Sequence, residues 1–461
     1  MLFSDFPFLL AFLPVFLCGM AVAGRRGEAW AKAWLIVCSL LFYGVGAPWF
    51  LPLLILSVIG NWCLLQAQGR WAIPGVVLNL AVLGWFKYLD AVPVLGLSFF
   101  TFTQIGCLLH FADGETPPPK LRDYALFAAF FPALMAGPIL NPREMLPQFA
   151  RTQGWGLTVS DLATGGGIFL LGLLKKTLLA DPLSGVVAPG FADPAALTLL
   201  PAWQAASSYS LQLYFDFSGY TDMAIGLAWM VGLRFPDNFD RPYRASSVIA
   251  YWQRWHMSLT RFLMTNVHAP LTLAVLRWRN ARRLPIGAAS QRTVSGFLTM
   301  IGLPVTATIL LVSLWHGATL PFLAFGLLHA AFLLVNHGWR VNRLPAPPML
   351  LSVALTYLCV LVGAVVFRST SLGAAGSLLA GMTGLHGIGA AEPDMIATAD
   401  VLWLLALYAI VWFAPTTRQW MLSGARFAWR PSPGWAVAMG CAATLGVLAA
   451  GGNREFLYFR F

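Results

Sequence analysis

Long apolar runs recur along almost the whole chain, and no other feature constrains its fold as strongly. A helix needs roughly 20 predominantly apolar residues to cross a bilayer, and by that measure the chain offers about 11 to 13 spans or re-entrant helices. The candidate runs are 5–23, 33–66 as two pieces, 72–89, 122–140, 163–180, 203–232, 246–268, 294–314, 318–337, 348–367, 400–414 and 433–450. The pattern predicts an all-α polytopic membrane protein.

Composition indicates that the chain is solvated by lipid. Of the 461 residues, 58% are hydrophobic and 10% are charged, whereas a soluble domain carries about a quarter charged residues. The chain therefore lacks the polar surface that a cytosolic enzyme, a nucleic-acid-binding protein or a secreted disulfide scaffold needs. No internal repeat is visible, and the simplest organisation is one membrane domain over residues 1–461. Short loops are expected at 111–121, 141–160, 181–200, 277–292 and 381–399.

Membrane orientation explains the excess of basic residues. The formal net charge is +11, and basic blocks at Arg25–Lys32, Arg277–Arg292 and Arg340–Arg343 lie between long apolar runs. Lysine and arginine gather in the cytoplasmic loops of polytopic proteins, so these blocks require no acidic ligand. The first apolar run precedes its basic residues, which is the reverse of a cleavable signal peptide. We interpret this run as a retained span with its N-terminus outside.

Cysteine spacing gives no sign of a disulfide framework or a metal centre. All six cysteines lie in apolar runs, and the sequence has no Cys-x-x-Cys pair and no Cys/His ligand spacing. Cysteine in such surroundings usually behaves as a small packing residue. We therefore expect no metal ligands in this chain.

Two aspartates interrupt the apolar segment 208–230. Asp216 and Asp222 are six residues apart, which is about 240° around a helix, so they face different directions and do not form an acid/base pair. An ionisable group at membrane depth costs roughly 2.5–3.5 kcal/mol on insertion scales, so it needs a reason. Each carboxylate either anchors a neighbouring element through hydrogen bonds or an arginine, or contributes to a site. Gly219 between them marks either a helix break or a close helix contact.

The segment 234–263 combines arginines with tryptophans. Its two prolines prevent a continuous span, and Ser246 or Ser247 could cap a helix that follows them. That helix would carry Trp252, Arg254, Trp255, His256 and Arg261. Its basic and aromatic character suits an interfacial or re-entrant helix. The arginines would contact either lipid phosphates at the membrane surface or an anionic substrate such as the phosphates of a coenzyme.

His316 ends another apolar run and is followed by Gly317. Histidine titrates near neutrality and can take a proton from a hydroxyl group, as acyl transfer to a sugar alcohol requires. Otherwise, a lone histidine in an apolar run is a hydrogen-bonded core residue. His329 follows 13 residues later, but Pro321 makes the helical angle between the two unreliable. No serine-hydrolase, zincin, P-loop or dinucleotide-binding motif occurs in a fitting context, so those folds have no support.

Several short motifs resemble those of a known family in their order and spacing. They are L-S-F-F-T-F-T-Q-I (97–105), F-F-P-A-L-M-A-G-P-I (130–139), P-Q-F (147–149), Y-F-D-F-S-G-Y-T-D-M-A-I-G (214–226), F-P-D-N-F-D-R-P-Y (235–243), W-Q-R-W-H-M-S-L-T-R-F-L (252–263), L-W-H-G-A (314–318), V-F-R-S (366–369) and F-L-Y-F-R-F (456–461). Together they are spread over most of the chain. The sequence resembles the membrane-bound O-acyltransferase (MBOAT) family, in particular the bacterial branch that contains the alginate O-acetylation membrane subunit and the teichoic-acid D-alanylation membrane protein.

This resemblance implies a fold whose helices surround a central tunnel that is open to both sides of the membrane. It also implies that His316 promotes acyl transfer in the tunnel and that His256 helps to bind or position the substrates. The residues that would line or support the tunnel are Trp315, Asp216, Asp222, Arg254 and Trp255.

One segment departs from the family pattern. After the W-H-x-S-L motif, relatives of the alginate subunit usually continue with a stretch like R-D-Y-x-Y-I-P-L-G-G-N-R, whereas residues 262–280 read F-L-M-T-N-V-H-A-P-L-T-L-A-V-L-R-W-R-N. The Gly-Gly turn is missing. This difference bears on the acceptor, the partner protein and the acyl donor, and it leaves the fold and His316 unaffected. We interpret His268, inside the altered segment, as structural.

These observations lead to the hypothesis of an acyltransferase in the bacterial inner membrane. It would take an acyl group, expected to be acetyl, from a cytoplasmic thioester such as acetyl-CoA or an acyl carrier, and pass it outward for O-acylation of a cell-surface or exported polysaccharide. His316 would be the general base. No tightly bound cofactor is expected. The resemblance also implies a separate periplasmic serine-esterase-like partner, because no long polar segment in this chain could form that domain.

Two rival functions belong to other classes. A transporter would bind a solute or protons through midplane aspartates and histidines without altering them, but transporters commonly show paired repeats with matching broken helices, and none is found here. A membrane glycosyltransferase or polymerase would carry acidic metal-binding or glycan-binding loops, whereas the loops of this chain are short and basic.

Overall fold

The apolar runs fold as helices, because a helix satisfies the backbone hydrogen bonds that lipid cannot supply. The computed structural model of the chain describes residues 1–67, 69–89, 94–389, 398–422, 429–430, 432–450 and 456–457. Across these ranges every regular element is a helix, which confirms the all-α prediction. The predicted loop 381–399 and the motif at 456–461 lie partly outside the described residues.

Helices α1 to α10 precede the segment 234–263, which combines arginines with tryptophans. Helices α11 to α20 lie within this segment and in the rest of the chain. The first ten are α1 (Phe8–Arg25), α2 (Glu28–Gly46), α3 (Pro48–Gln66), α4 (Gly69–Leu89), α5 (Leu97–His110), α6 (Leu121–Ala129), α7 (Phe131–Leu134), α8 (Pro142–Ala150), α9 (Val159–Ala192) and α10 (Leu199–Met230). The others are α11 (Val248–Trp252), α12 (Met257–Leu263), α13 (Ala269–Ala281), α14 (Val294–His316), α15 (Leu320–Val341), α16 (Met349–Arg368), α17 (Leu372–Met382), α18 (Thr398–Phe413), α19 (Thr417–Leu422) and α20 (Pro433–Ala449).

Eight of the described helices are long and apolar enough to cross a membrane. They are α1, α2, α3, α4, α9, α14, α15 and α16. Shorter apolar helices occur in α5, α17, α18 and α20. These lengths and compositions are those of a multi-pass membrane protein, and the central tunnel stays a prediction.

The predicted span 122–140 is wrong as a single helix. Helix α6 ends at Ala129, Phe130 adopts an extended backbone with φ −62° and ψ 117°, and α7 begins at Phe131. Pro132 lies in the first turn of α7, where its missing N–H leaves no hydrogen bond unmade. The chain therefore restarts a helix at a place where its apolar pattern continues without interruption.

The predicted span 246–268 is also wrong as a continuous helix. Ser247 caps α11 as expected, because its hydroxyl accepts a hydrogen bond from the N–H of Ala250. Helix α11 ends at Trp252, and four residues later His256 adopts a left-handed backbone with φ 46° and ψ 53°. An α-helix of L-residues does not contain that conformation, and α12 starts after it.

Several helices lie where loops were predicted or where no span was counted. Helix α8 occupies residues 142–150 of the predicted loop 141–160, and the end of α9 lies in the predicted loop 181–200. Helices α5 and α17 lie outside the predicted spans, and both are shorter than a membrane crossing requires.

The described residues form two compact units. The first comprises Met1–Leu178, Phe215–Asn238 and Pro415–Arg460, and the second comprises Leu179–Tyr214 and Phe239–Ala414. In the first unit, buried phenylalanine rings pack together, for example Phe3 and Phe8 with centroids 5.0 Å apart. The core of the second unit includes the buried residues Tyr209, Leu361, Val365 and Leu378. The prediction of one membrane domain over 1–461 stays a prediction.

Glycines bring α9 and α10 into backbone contact within the first unit. A Cβ atom on Gly172 would lie 2.5 Å from the carbonyl oxygen of Gly219, and a Cβ on Gly226 would lie 2.5 Å from the N of Phe169. Small residues allow such close approach between membrane helices. Gly219 therefore marks a close helix contact, which was one of the two alternatives that the sequence left open.

Replacing Gly172 with alanine is expected to destabilise the first unit. The added methyl group meets rigid backbone, and overpacking of this kind costs about 1–3 kcal/mol. Gly166→Ala is the matched control, since its Cβ would meet nothing nearer than Met230 Cε at 4.0 Å and the gain in helix propensity is the same. Thermal unfolding in detergent should show a lower midpoint for Gly172→Ala alone. Equal midpoints for the two variants would contradict the backbone contact.

Candidate active site

The residues predicted for the site fall in both units. The first unit contains Asp216 and Asp222, which both lie on α10. The second unit contains His256, His316 and their neighbours Arg254, Trp255 and Trp315. These five lie at the end of α14 and between α11 and α12.

Asp216 forms a buried ion pair in the first unit. Its Oδ1 lies 2.6 Å from Nζ of Lys176, and the side chains of Lys176 and Asp216 are 4% and 2% exposed. Its Oδ2 accepts a hydrogen bond from the backbone N–H of Leu457 at 3.0 Å. Taking either charge out of water costs several kcal/mol, so each member of the pair requires the other.

Asp222 forms a similar pair that is more exposed. Its Oδ2 lies 2.6 Å from Nζ of Lys175 and accepts a hydrogen bond from the hydroxyl of Thr417, also at 2.6 Å. The side chains of Lys175 and Asp222 are 20% and 15% exposed. Each carboxylate therefore anchors a neighbouring helix, which was one of the two alternatives, with lysine as the partner in place of arginine. The role of the two aspartates in a tunnel stays a prediction.

The sequence contained a signal for these lysines that the prediction did not use. Lys175 and Lys176 lie inside the predicted span 163–180, where ionisable groups are as costly as the two aspartates. They begin a π-helical stretch, Lys175–Ala180, within α9. Single π-helical turns within α-helices are rare and are frequent at functional sites.

His316 is the last residue of α14. Its imidazole is partly exposed, whereas the indole of Trp315 beside it is buried. The ring centroids of Trp315 and Phe367 lie 4.5 Å and 4.9 Å from that of His316. Aromatic rings thus hold the imidazole in place while part of it remains accessible, which is what a general base for a substrate hydroxyl requires.

A series of ring contacts joins His316 to Trp255 within the second unit. Its intermediate members, in order, are Phe367, Phe325, His329, Trp252 and Tyr251. Consecutive ring centroids lie 4.5 to 5.8 Å apart, within the range in which aromatic pairs attract each other. The two regions that carry the predicted catalytic histidines therefore share one packed network, which we call the aromatic series.

His256 is buried and lies in the left-handed region of backbone conformation, just before α12. This conformation is uncommon for a residue other than glycine and often accompanies functional sites. Burial lowers the pKa of His256 to about 3, so the imidazole is neutral near pH 7. A neutral ring can accept one hydrogen bond and donate another, which suits the predicted role in positioning.

Arg254 and Trp255 immediately precede His256. Trp255 stacks on Tyr251 with centroids 5.8 Å apart and planes at 16°. The carbonyl of Arg254 accepts a hydrogen bond from the N–H of Asp240 at 3.1 Å. Its guanidinium is partly exposed and forms no ion pair with any residue that the structure describes. This leaves a positive charge available for an anion, so the substrate alternative for the arginines remains open.

His329 and Trp252 are two polar side chains of the aromatic series that the sequence did not assign to the site. Pro321 lies in the first turn of α15, so it starts this helix and leaves the register around His329 intact. His329 is 2% exposed. Neither its Nδ1 nor the Nε1 of Trp252 has a hydrogen-bond partner among the described residues. Only the fold could reveal this pair, because 77 positions separate them.

Replacing Gly363 with alanine is expected to displace His329. A Cβ atom at this position would come within 3.0 Å of both Nε2 and Cδ2 of the imidazole, so the ring must move and disturb its contact with Phe325. We expect a lower unfolding midpoint and a slower reaction. Gly376→Ala, whose Cβ would meet nothing within 4 Å, is expected to change neither. If both variants keep the unfolding midpoint and the reaction rate of the original protein, the ring contacts of His329 do not contribute to stability or activity.

Comparison with known proteins identifies the family. A family model described as MBOAT, membrane-bound O-acyltransferase family, matches residues 56–284. A peptidoglycan O-acetyltransferase of Helicobacter pylori is 32% identical over 446 residues, which cover 84% of this chain and 81% of the relative. The chain belongs to the membrane-bound O-acyltransferase family. The resemblance that the motifs carry is confirmed, and the protein is a multi-pass membrane acyltransferase.

Two further relatives of this MBOAT protein are named for other activities. The probable alginate O-acetylase AlgI of Pseudomonas aeruginosa is 35% identical over 412 residues, which cover 81% of this chain and 73% of the relative. A teichoic acid D-alanyltransferase of Streptococcus thermophilus is 26% identical over 249 residues, which cover 53% and 57%. The segment that the MBOAT family model matches contains His256, whereas His316 lies beyond its end.

Proposed function

We propose that this protein is an O-acetyltransferase of the bacterial inner membrane that serves an exported or cell-surface polysaccharide. Its acetyl donor would be a cytoplasmic thioester such as acetyl-CoA or an acyl carrier. Relatives similar over most of this chain are named for O-acetylation of peptidoglycan and alginate, which supports the acyl group and the acceptor class. The observation that carries the chemistry is the partly exposed His316 held by aromatic rings at the end of α14.

In this proposal His316 acts as the general base. Its imidazole takes the proton of an acceptor hydroxyl while that oxygen attacks the thioester carbonyl. An O–C bond forms and the C–S bond breaks, and the imidazolium returns the proton to the departing thiolate. His256 would position the substrates, and Arg254 would contact the phosphates of the donor. Trp315, Trp255 and the two aspartates would line or support the tunnel.

The acceptor hydroxyl belongs either to the glycan itself or to the serine of a partner protein. We propose that a periplasmic serine-esterase-like partner receives the acetyl group on its serine and completes the transfer to the polysaccharide. Direct transfer to a lipid-linked or secreted glycan is the alternative within the same function. The altered segment 262–280 comprises the last two residues of α12, a π-helical turn and most of α13. A difference in acceptor or partner from the alginate relatives would involve this segment.

Acetyl-CoA labelled separately in its acetyl group and in its coenzyme moiety tests this proposal against the transporter alternative. The purified chain is reconstituted in proteoliposomes that contain alginate oligomers or peptidoglycan fragments, with and without a periplasmic partner protein inside, and the labelled donor is added outside. The proposal predicts that the two labels separate, with acetyl inside and coenzyme outside. Entry of both labels together would instead establish transport. An intact donor in the presence of the acceptors and a periplasmic partner would exclude acetyl-CoA.

A further inference from the structure

A cavity outside the candidate active site lies between α2, α3 and α6 in the first unit. Its volume is about 560 Å³, which lies within the roughly 300–1,000 Å³ of ligand sites in proteins. Aliphatic side chains form most of its wall, with Leu54, Val58 and Leu126 buried at its base. The hydroxyl of Ser39, also in the wall, already donates to Leu35 and accepts from the N–H of Phe131. The base of the cavity is therefore suited to a hydrocarbon chain.

The other polar lining residues, Lys120 and Arg122, lie at the start of α6. Arg122 Nη2 contacts Glu28 Oε1 at 3.0 Å, and Lys32 bridges Glu28 and Asp123 at 2.7 Å and 2.6 Å. Lys120 forms no ion pair with any residue in the described ranges. The cluster therefore has three cations against two anions, and it adjoins the positive end of a helix.

The backbone around Lys120 is held in place. Three consecutive prolines, 117–119, precede it, and the indole N–H of Trp62 donates to the carbonyl of Pro119 at 3.0 Å. Proline fixes φ and limits the freedom of its neighbours. Lys120 is thus presented at the cavity from a rigid segment.

Lys120 and Arg122 lie at one end of a groove that faces lipid. Helices α2 and α3 are candidate spans, and Val37, Leu41 and Leu56 on these helices are exposed, so lipid chains would cover them. Arg122 contacts Glu28, at the same end of α2 as the basic pair at 25–26. The positive-inside rule places this end at the cytoplasmic leaflet, whose acidic lipids are attracted by basic residues.

We propose that this cavity binds an anionic phospholipid, with one acyl chain in the groove and the phosphate at Lys120 and Arg122. The apolar base accounts for the chain, and the uncompensated positive charge accounts for an acidic headgroup in preference to a zwitterionic one. This site is separate from the acyl-transfer chemistry and does not depend on the acceptor or the donor.

Photoreactive lipids test this proposal on the purified full chain in vesicles. Phosphatidylglycerol and phosphatidylcholine, each with a diazirine in one acyl chain, are compared at equal mole fraction, and labelled peptides of α2, α3 and α6 are quantified by mass spectrometry. A single surface charge changes the affinity for an acidic lipid about five-fold. We therefore expect about five times more label from phosphatidylglycerol, and Lys120→Gln should reduce this ratio to about one.

Two further variants separate the groove from general surface charge. Arg26→Gln removes an exposed basic residue at the same end of α2, and the preference should persist. Ala125→Phe fills the cavity, and labelling of these three helices by both lipids should fall while labelling of α16 is unchanged. Equal labelling by the two lipids in the original protein, or a preference that survives Lys120→Gln, would overturn the proposal. Displacement of the label by millimolar inorganic phosphate would also overturn it, since the site would then bind the anion alone.

Discussion

Replacing His316 with alanine or asparagine is expected to reduce acetyl transfer by about 10²–10⁴-fold, the usual contribution of general acid–base catalysis. Neither side chain can take a proton from a hydroxyl near neutral pH. His316 is the last residue of α14 and its imidazole is partly exposed, so the fold should tolerate the loss of this ring. The measurement is the rate of separation of acetyl from coenzyme in the double-label assay.

His268→Asn is the matched control for this experiment. His268 belongs to the same unit and is half-buried, but it lies outside the aromatic series. The control should retain transfer, and all variants should elute as monodisperse protein with similar unfolding midpoints. A well-folded His316→Asn variant that keeps the original rate would exclude His316 as the base.

Replacing Asp216 with asparagine is expected to destabilise the first unit by about 3–5 kcal/mol, because it leaves the charge of Lys176 buried without a counter-charge. The amide oxygen can still accept the hydrogen bond from Leu457, so the change isolates the ion pair. Asp222→Asn is the matched comparison. Its pair is more exposed, and water can solvate the remaining lysine, so we expect a smaller loss. The measurement is the free energy of unfolding in detergent from denaturant titration.

A double substitution provides the second half of this test. Asp216→Leu combined with Lys176→Met replaces both charges by apolar groups, which often costs little when a buried pair is removed as a whole. The double variant should therefore be more stable than either single one. If Asp216→Asn unfolds no more readily than Asp222→Asn, the burial of the pair does not determine its contribution.

The sequence was sufficient for those parts of the fold that depend on apolar length. Helices α2, α3, α14 and α16 follow the predicted runs closely, because lipid requires an internally satisfied backbone wherever the chain is apolar. The breaks were harder to predict. His256 turns the chain without glycine or proline, in a segment where Phe239 pairs with Trp255 and Asp240 donates to Arg254. Such contacts depend on the folded structure and leave no local pattern.

The candidate site divides in the same way. His316 and His256 could be named from motifs that are contiguous in the sequence. The aromatic series could not, because its contact between Trp252 and His329 joins two distant helices. The lysine partners of the two aspartates were predictable only in part. They were visible as charged residues within an apolar run, but nothing in the sequence specified which carboxylate each would meet.

The contact between α9 and α10 also affects the register in which these two helices pack. Its glycines are seven residues apart on each helix, at 165 and 172 and at 219 and 226. If α10 shifted by seven residues along α9, Gly172 would face Gly226 in place of Gly219. The glycines alone therefore permit more than one register. That shift would place Lys176 opposite Met223 and Lys175 opposite Trp229, and both ammonium groups would lose their carboxylates at a cost of several kcal/mol each. The glycines thus determine how closely the two helices approach, whereas the ion pairs favour the observed register over the shifted one.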